Sequence, residues 1–352
     1  MEKKSSSSFV KEQHIRYCLE KDVESSLTTG FERYYLINQS LPEMVFGEID
    51  TSSSFLGKNI SAPFIISPMT GGTDVSRKIN KNLARAAQEL GVVMSVGSQR
   101  LAIEDPSLIS TYYVRDIAPD IPLLANFGAV YLNYGYGIEE CKRAVEMIEA
   151  DGLTLYLNPL QKILQKDFNT DFRGLVKKIS KVCKELDVPI IVKEVGFGLS
   201  SSAAVMLREA GVWALDIAGA GGTSWAKIER YVKNEDDPSY NVRDTFDSWG
   251  IPTADSLVSI LEVIKDMPII ASGGIRDGVE MAKAIALGAS YVGVALPLLS
   301  PAMESYEAVK EKILSIINEF KTAMFCCGRK NLEYFRKGDC IKKKIGSYIG
   351  DG

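Results

Sequence analysis

Two glycines that end an apolar run, an arginine just beyond them and a lysine–glutamate pair on another such run are the residues best suited to chemistry. At Ile269-Ile270-Ala271-Ser272-Gly273-Gly274 a β-branched run stops on two residues without Cβ atoms, where a backbone can close on a ligand. Arg276 follows, and a helical pattern begins at Asp277; together these suit an anion held by backbone N–H groups and a helix N-terminus. The same residues also suit an ordinary strand–helix–strand crossover with glycines for packing. Other apolar runs end on Thr70-Gly71-Gly72, Ser98-Gln99-Arg100, Asn126, Asn158-Pro159, Lys193-Glu194 and Gly219 to Thr223. The single histidine, His14, leaves no His-based zinc site, and no Ser-His-Asp triad unless it folds back into one. Six cysteines (Cys18, Cys141, Cys183, Cys326, Cys327, Cys340) include no C-x-x-C pair and read as reduced, structural thiols.

These turns need a frame that brings them to one place. Strand-like runs recur at Pro63–Met69, Val92–Gly97, Pro122–Phe127, Leu153–Asn158, Pro189–Val195, Ala214–Ala218, Pro268–Ser272 and Tyr291–Leu296. Helical patterns lie between them, among them Asp74–Leu90, Ile138–Ala150, Phe172–Leu186, Ser202–Ala210, Ala254–Lys265 and Gly278–Leu287. Strict alternation predicts a parallel sheet, and eight repeats predict an α/β fold closed as a (β/α)8 TIM barrel, with a doubly wound open sheet as the alternative. In a barrel all the loaded turns share the C-terminal face. The expected barrel is 62–319, with 1–61 and 320–352 as N- and C-terminal extensions and 1–8 disordered. The stretch 224–252 after strand 6 is long for its place and reads as a lid or a subunit contact, with an exposed Asn234–Pro238 core.

Composition narrows the function classes. The chain has 352 residues, 46% hydrophobic and 24% charged, with a net charge of -4. That balance gives no general drive towards nucleic acid or anionic lipid. No apolar run approaches the ~20 residues of a membrane span, and the Ser-rich start lacks the apolar core of a signal peptide. A cytoplasmic protein is expected. Basic Lys337 to Lys344 reads as a solvated face.

Seven segments carry a resemblance: Ser67 to Gly72, Gly97 to Arg100, Leu157 to Gln161, Val192 to Gly196, Gly221 to Trp225, Trp249 to Thr253 and Ala271 to Arg276. In that order they resemble the FMN-dependent type 2 isopentenyl-diphosphate isomerases, over about Lys11 to Phe325. The resemblance implies an isomerase of isoprenoid biosynthesis, a homotetramer or homo-octamer, whose FMN is reduced by NADPH. It implies that Met69, Thr70, Ser98 and Asn126 meet the flavin ring and that Lys193 sits by its N1 and O2. Thr223, Gly273, Gly274 and Ile275 then hold the FMN phosphate, with Val294 and Ala295 over the neighbouring backbone. An alternative for Lys193 is a structural ion pair with Glu194. Implied for the substrate are Lys11, His14, Ser98, Gln99, Arg100, Asn158, Gln161 and Lys162, with Gln161, Glu229 and Lys193 as catalytic groups.

The chain departs from that family at one end. Its Arg-Lys-x-acidic-His signature reads Val10-Lys11-Glu12-Gln13-His14 here, and its His-Leu-Asn reads Tyr156-Leu157-Asn158. The glutamate that binds magnesium in relatives is Lys162, and Tyr131 stands where glutamine is common. A lysine cannot ligate Mg²⁺, which takes oxygen ligands, so no metal ligand is assigned and the Mg requirement stays open. The leading expectation is interconversion of isopentenyl and dimethylallyl diphosphate, with reduced flavin as acid and base. A second keeps the FMN but changes the substrate to another isoprenoid or phosphorylated alkene, without Mg. A third is a non-catalytic flavin-binding assembly protein. Hydroxy-acid oxidases need a histidine after strand 7, and inosinate-dehydrogenase-like barrels need a cysteine in Ala218–Glu229; neither residue is present.

Overall fold

The computed structural model describes residues 6–165, 169–233 and 244–344. Each predicted apolar run contains one strand: β1 (Phe64–Ile66), β2 (Val93–Ser95), β3 (Leu123–Gly128), β4 (Gly152–Tyr156), β5 (Ile190–Lys193), β6 (Ala214–Asp216), β7 (Ile269–Ser272) and β8 (Tyr291–Val294). They pair in parallel in chain order, and β8 pairs β1 to close the barrel. The expected (β/α)8 fold is therefore the observed one. Nearly every strand residue is buried, as a sheet covered on both faces requires. Side chains alternate: Ile65, Val93, Leu124, Ile191, Ala214 and Ile270 fill the barrel, while Phe64, Ile66 and Met94 pack outward under the helices.

The floor of the barrel is stoppered. A hairpin of Ser53–Phe55 and Lys58–Ile60 drives Phe55 into the interior, where its ring meets Trp213 at 5.2 Å and Tyr291 at 4.9 Å. Ligands reach the barrel from the other mouth. The first barrel helix, Asp74–Leu90, shows why these segments are helical: Thr73 caps its start, Gly91 ends it at φ 63, and Ile79, Leu83, Ala86 and Ala87 form a buried stripe.

The flanking segments differ from expectation. Ser6–Ser8, expected to be disordered, begin a helix, Ser6–Glu20; Met1–Ser5 lie outside the described residues. Serine is a weak helix former, but tertiary contacts override that preference: Ile15 and Tyr17 are buried, and Ser8 Oγ donates to the Gly72 carbonyl at 3.4 Å. The long connection after β6 contains a helix, Trp225–Lys233, on which the N-terminal helix lies through Tyr17–Tyr231 (5.7 Å) and His14–Trp225 (5.2 Å). The Asn234–Pro238 segment lies outside the described residues. At the far end, the last barrel helix runs Tyr306–Cys326, so a domain boundary after 319 would cut it. Beyond it Ile341–Lys343, inside the basic run, pairs antiparallel with Tyr34–Leu36 and ties the two extensions together.

Candidate active site

The C-terminal strand ends enclose a cavity of about 810 Å³, at the upper end of the range for small-molecule sites. Two kinds of construction meet in it. One half is largely backbone on the barrel strands; the other is side chains on helices outside the sheet.

At the barrel half, Lys193 ends β5 opposite Asp216 on β6. Its Nζ donates to the Glu194 carbonyl at 2.5 Å and lies 3.9 Å from Asp216 Oδ2. Asp216 Oδ1 accepts from Ser272 Oγ at 2.5 Å, which links β5, β6 and β7 by buried polar groups. The Glu194 carboxylate is not the lysine's partner. Its Oε2 accepts the N–H groups of Val195, Gly196 and Phe197 at 2.6, 2.8 and 2.6 Å, fixing the loop after β5. Burial pushes that carboxyl up to about 7, against the pull of the three amides.

The glycine turns touch backbone to backbone. Gly273 and Gly274 have φ of 98 and 75, where only glycine sits without strain. A Cβ on Gly222 would strike the Gly274 amide, and one on Gly273 the Gly219 carbonyl. Arg276 lines the cavity, but its guanidinium is already engaged: it donates to Gly274 O (2.7 Å) and Gly221 O (3.3 Å) and pairs with Glu24 (2.9 Å). The helix after β7 has its first N–H groups taken as well, Gly278 N by Glu319 and Glu280 N by the Asp277 cap. Thr223, Gly273, Gly274 and Ile275 all line the cavity, with Ala295. Met69, Thr70, Ser98 and Asn126 line it too. The Thr70 hydroxyl is bonded to Ser76 Oγ at 2.8 Å, and its carbonyl accepts from Gly97 N at 3.1 Å. Ser67 Oγ and Asn126 Oδ1 are buried in this wall without a protein partner. Unsatisfied buried polar atoms beside a glycine cradle fit a large polar ligand that carries a phosphate, and FMN is such a ligand.

In the helical half, Glu229 is a hub. Its Oε1 accepts from Gln161 Nε2 (2.8 Å) and Gln165 Nε2 (2.7 Å) and lies 3.5 Å from His14 Nε2. Asn158 Nδ2 donates to Gln161 Oε1 at 2.8 Å, setting the amide's direction, and Asn158 Oδ1 has no partner. Burial pushes the Glu229 carboxyl up, but His14 and the two amides outweigh it and hold the group below its ordinary value. Beside this hub Lys162 Nζ donates to Tyr131 Oη at 2.8 Å and stands 4.6 Å from that ring's centre. Arg100 lies 5.2 Å from the same centre and pairs with Glu104 at 2.6 Å. Tyr156 Oη meets Ser98 Oγ at 3.1 Å, and burial together with Tyr131 pushes the phenol up to about 12. Lys11 is pushed down to about 8 by burial and by Arg100, with Glu229 pulling the other way.

Of the residues expected from sequence, two face elsewhere. Gln99 is fully buried behind the wall: its amide donates to the Ala144 carbonyl (2.7 Å) and accepts the Asn126 N–H (2.8 Å), bracing β3 instead of reaching a ligand. Val294 points outward into the helix layer, and only its carbonyl works near the site, accepting from Ser67 N at 2.9 Å. The others line one cavity. Gln165 was missed, although it stands one turn after Gln161 on the same side of Pro159–Leu164. Ser67 and Trp225, in segments that carry the resemblance but with no role implied there, line the cavity as well.

A divalent metal does not fit these residues. Among the described residues no cluster of three His, Cys, Asp or Glu side chains could hold one, and Glu229 is the sole carboxylate lining the cavity.

Comparison with known proteins agrees with this geometry. The sequence matches the family described as FMN-dependent dehydrogenase over residues 20–105 and 147–342. It is 47% identical over 334 residues to an isopentenyl-diphosphate delta-isomerase of Nostoc sp. (strain PCC 7120), covering 95% of both chains. Another, from Rickettsia africae, is 46% identical over 329 residues, covering 94% of this chain and 96% of the relative. A mandelate oxidase mutant with a C4a-OH-FMN adduct has a similar structure, with a TM-score of 0.67, 17% identity and coverage of 96% and 98%. A mutant flavocytochrome b2 with pyruvate bound gives 0.69, 15%, 95% and 85%. At such identities the last two speak for the fold alone.

Proposed function

Because the chain belongs to the FMN-dependent dehydrogenase family, alongside the isopentenyl-diphosphate delta-isomerases, we propose that it interconverts isopentenyl and dimethylallyl diphosphate on FMN. The observation that carries this reading is near full-length identity of 46–47% to two isomerases, joined to a site whose buried polar atoms await a flavin. The reaction moves a double bond: one carbon gains a proton and another loses one, with no net change of electrons. Reduced FMN, when bound, supplies an electron-rich ring that can exchange protons.

The protein's own residues supply the rest. Thr223, Gly273, Gly274, Ile275 and the backbone at Ala295 hold the FMN phosphate, and Met69, Thr70, Ser98 and Asn126 border the ring. Lys193 places an ammonium at the ring's edge, where it steadies negative charge. Its own charge is partly balanced by Asp216 at 3.9 Å. Glu229 has Oε1 committed to two amides, which leaves Oε2 as the atom that holds or takes a proton. Gln161, itself fixed by Asn158, orients the alkene beside it. Trp225 and Val232, on the helix that carries Glu229, close the apolar side against water. Lys11, Arg100 and Lys162 face the diphosphate, and His14 adjusts the Glu229 charge.

The same reading gives NADPH as the source of reducing equivalents, a homo-oligomer of four or eight chains and a cytoplasmic location. No described helix is long and apolar enough to cross a membrane. An α-hydroxy-acid oxidase activity, which the fold alone would admit, is disfavoured: the single histidine, His14, is carried by the N-terminal helix against Trp225 and not by the segment that follows β7. The test is conversion of isopentenyl to dimethylallyl diphosphate by the FMN-loaded protein, reduced without oxygen and followed by proton NMR. Product with no net reductant consumed is expected; a colourless protein that refuses added FMN would end the proposal.

A further inference from the structure

We propose that this chain binds its substrate's diphosphate without a divalent metal, on a side-chain cluster of Lys11, Arg100 and Lys162 in which Tyr131 fixes the last. The inference rests on the isomerase reading and specifies how that site takes its anion. It begins with the helix Pro159–Leu164, whose adjacent residues face two tasks. Gln161 turns to the Glu229 carboxylate, and Lys162 turns to the Tyr131 hydroxyl at 2.8 Å. The Lys162 side chain is 1% exposed, yet it borders the cavity. An ammonium at that depth is held because a hydroxyl and a ring face receive it (4.6 Å to the ring centre).

Arg100 reaches the same ring from another strand end, and only Glu104, on Arg100's outer side, balances it among the described carboxylates. Lys11 lines the same cavity, and its proton affinity is lowered first by burial and then by the repulsion of that guanidinium. A polyanion relieves that repulsion; a dication in the same space would add to it. A divalent ion would also need oxygen ligands, typically one or two carboxylates besides the phosphates. Among the described residues the cavity offers Glu229 alone, with one oxygen already accepting two amides. Three monovalent cations can instead neutralise a diphosphate directly, two of them as point charges and one as a planar fork.

The experiment uses the FMN-loaded full chain in two arms. In the first, turnover of isopentenyl diphosphate is compared in excess EDTA and in excess Mg²⁺; in the second, inorganic pyrophosphate is titrated calorimetrically under both conditions. Turnover and pyrophosphate binding that agree within about twofold in the two buffers are expected. Lys162→Met should weaken pyrophosphate about 10- to 100-fold while retaining FMN colour, and Lys162→Arg should restore most of it. If Lys162→Met loses its FMN, the wild-type comparison between buffers still decides. Turnover or binding that requires Mg²⁺ would overturn the metal-free site and leave the isomerase reading standing. Were turnover absent in both buffers, the isomerase reading would fall, and pyrophosphate binding in EDTA would still judge the cation cluster by itself.

Discussion

The two halves of the cavity are made of different material. Around Gly222, Gly273 and Gly274 the cavity wall is main chain, in loops that follow strands of a closed sheet. Around Glu229 and Lys162 it uses long side chains, on helices attached to the barrel by packing. Main chain in the left-handed region leaves almost no choice of residue. Side chains leave a great deal, provided charge and hydrogen bonds still balance. That contrast accounts for the expectation from sequence, in which the resemblance holds at the residues assigned to the flavin and breaks at Val10, Tyr131, Tyr156 and Lys162. One half defines a cofactor, the other tunes what is offered to it.

Four changes break or sharpen the contrast, the first by most. Glu229→Gln removes the proton-holding atom and should lower kcat by ~10²–10⁴-fold with FMN fully bound, as stopped-flow assays and flavin absorbance would record. Gly273→Ala attacks the other half: the left-handed backbone alone costs ~1–2 kcal/mol, before the Gly219 carbonyl is displaced, so FMN should be lost first and activity with it. Lys11 should give the site a pH limit. Its ammonium persists below about 8 and is lost as pH rises through that value, so KM should rise up to about tenfold per pH unit beyond it, and Lys11→Met should flatten that rise. Over the same rise, from about 8 towards 10.5, the free protein should become more stable to urea, since the unfolded chain keeps this proton longer. Gln165→Leu removes one of two amides on Glu229 and should cost ~0.5–1.5 kcal/mol in the barrier, about two- to twelvefold in kcat, with no change in flavin spectrum.

What the sequence disclosed follows the same division. All eight strands were legible because a sheet buried on both faces demands unbroken apolar runs, and the glycine turns were legible because a backbone approach admits few other residues. Gln99 misled for a physical reason: a polar residue in a strand-end turn can as well satisfy the buried Ala144 carbonyl and Asn126 N–H as face a ligand. The helix Trp225–Lys233 lies in the stretch expected to be a lid or a subunit contact, and its helical character was legible only in Trp225, Glu229 and Val232, which recur at helical spacing and all face the cavity. Arg276 was legible as a cation but not as a brace, since Glu24 comes from a segment whose course no local pattern reveals. Ser6–Ser8 became helix through packing on the barrel, which propensity does not measure.

The antiparallel pairing of Tyr34–Leu36 with Ile341–Lys343 has a consequence for biogenesis. Its two strands come from nearly opposite ends of the polypeptide, so this ladder forms only after the ribosome has released almost everything else. The sheet and its glycine turns can assemble earlier, while the segment leading from the N-terminal helix still lacks its seam. A nascent chain thus acquires a place for its cofactor before it acquires the enclosure that selects what the cofactor meets.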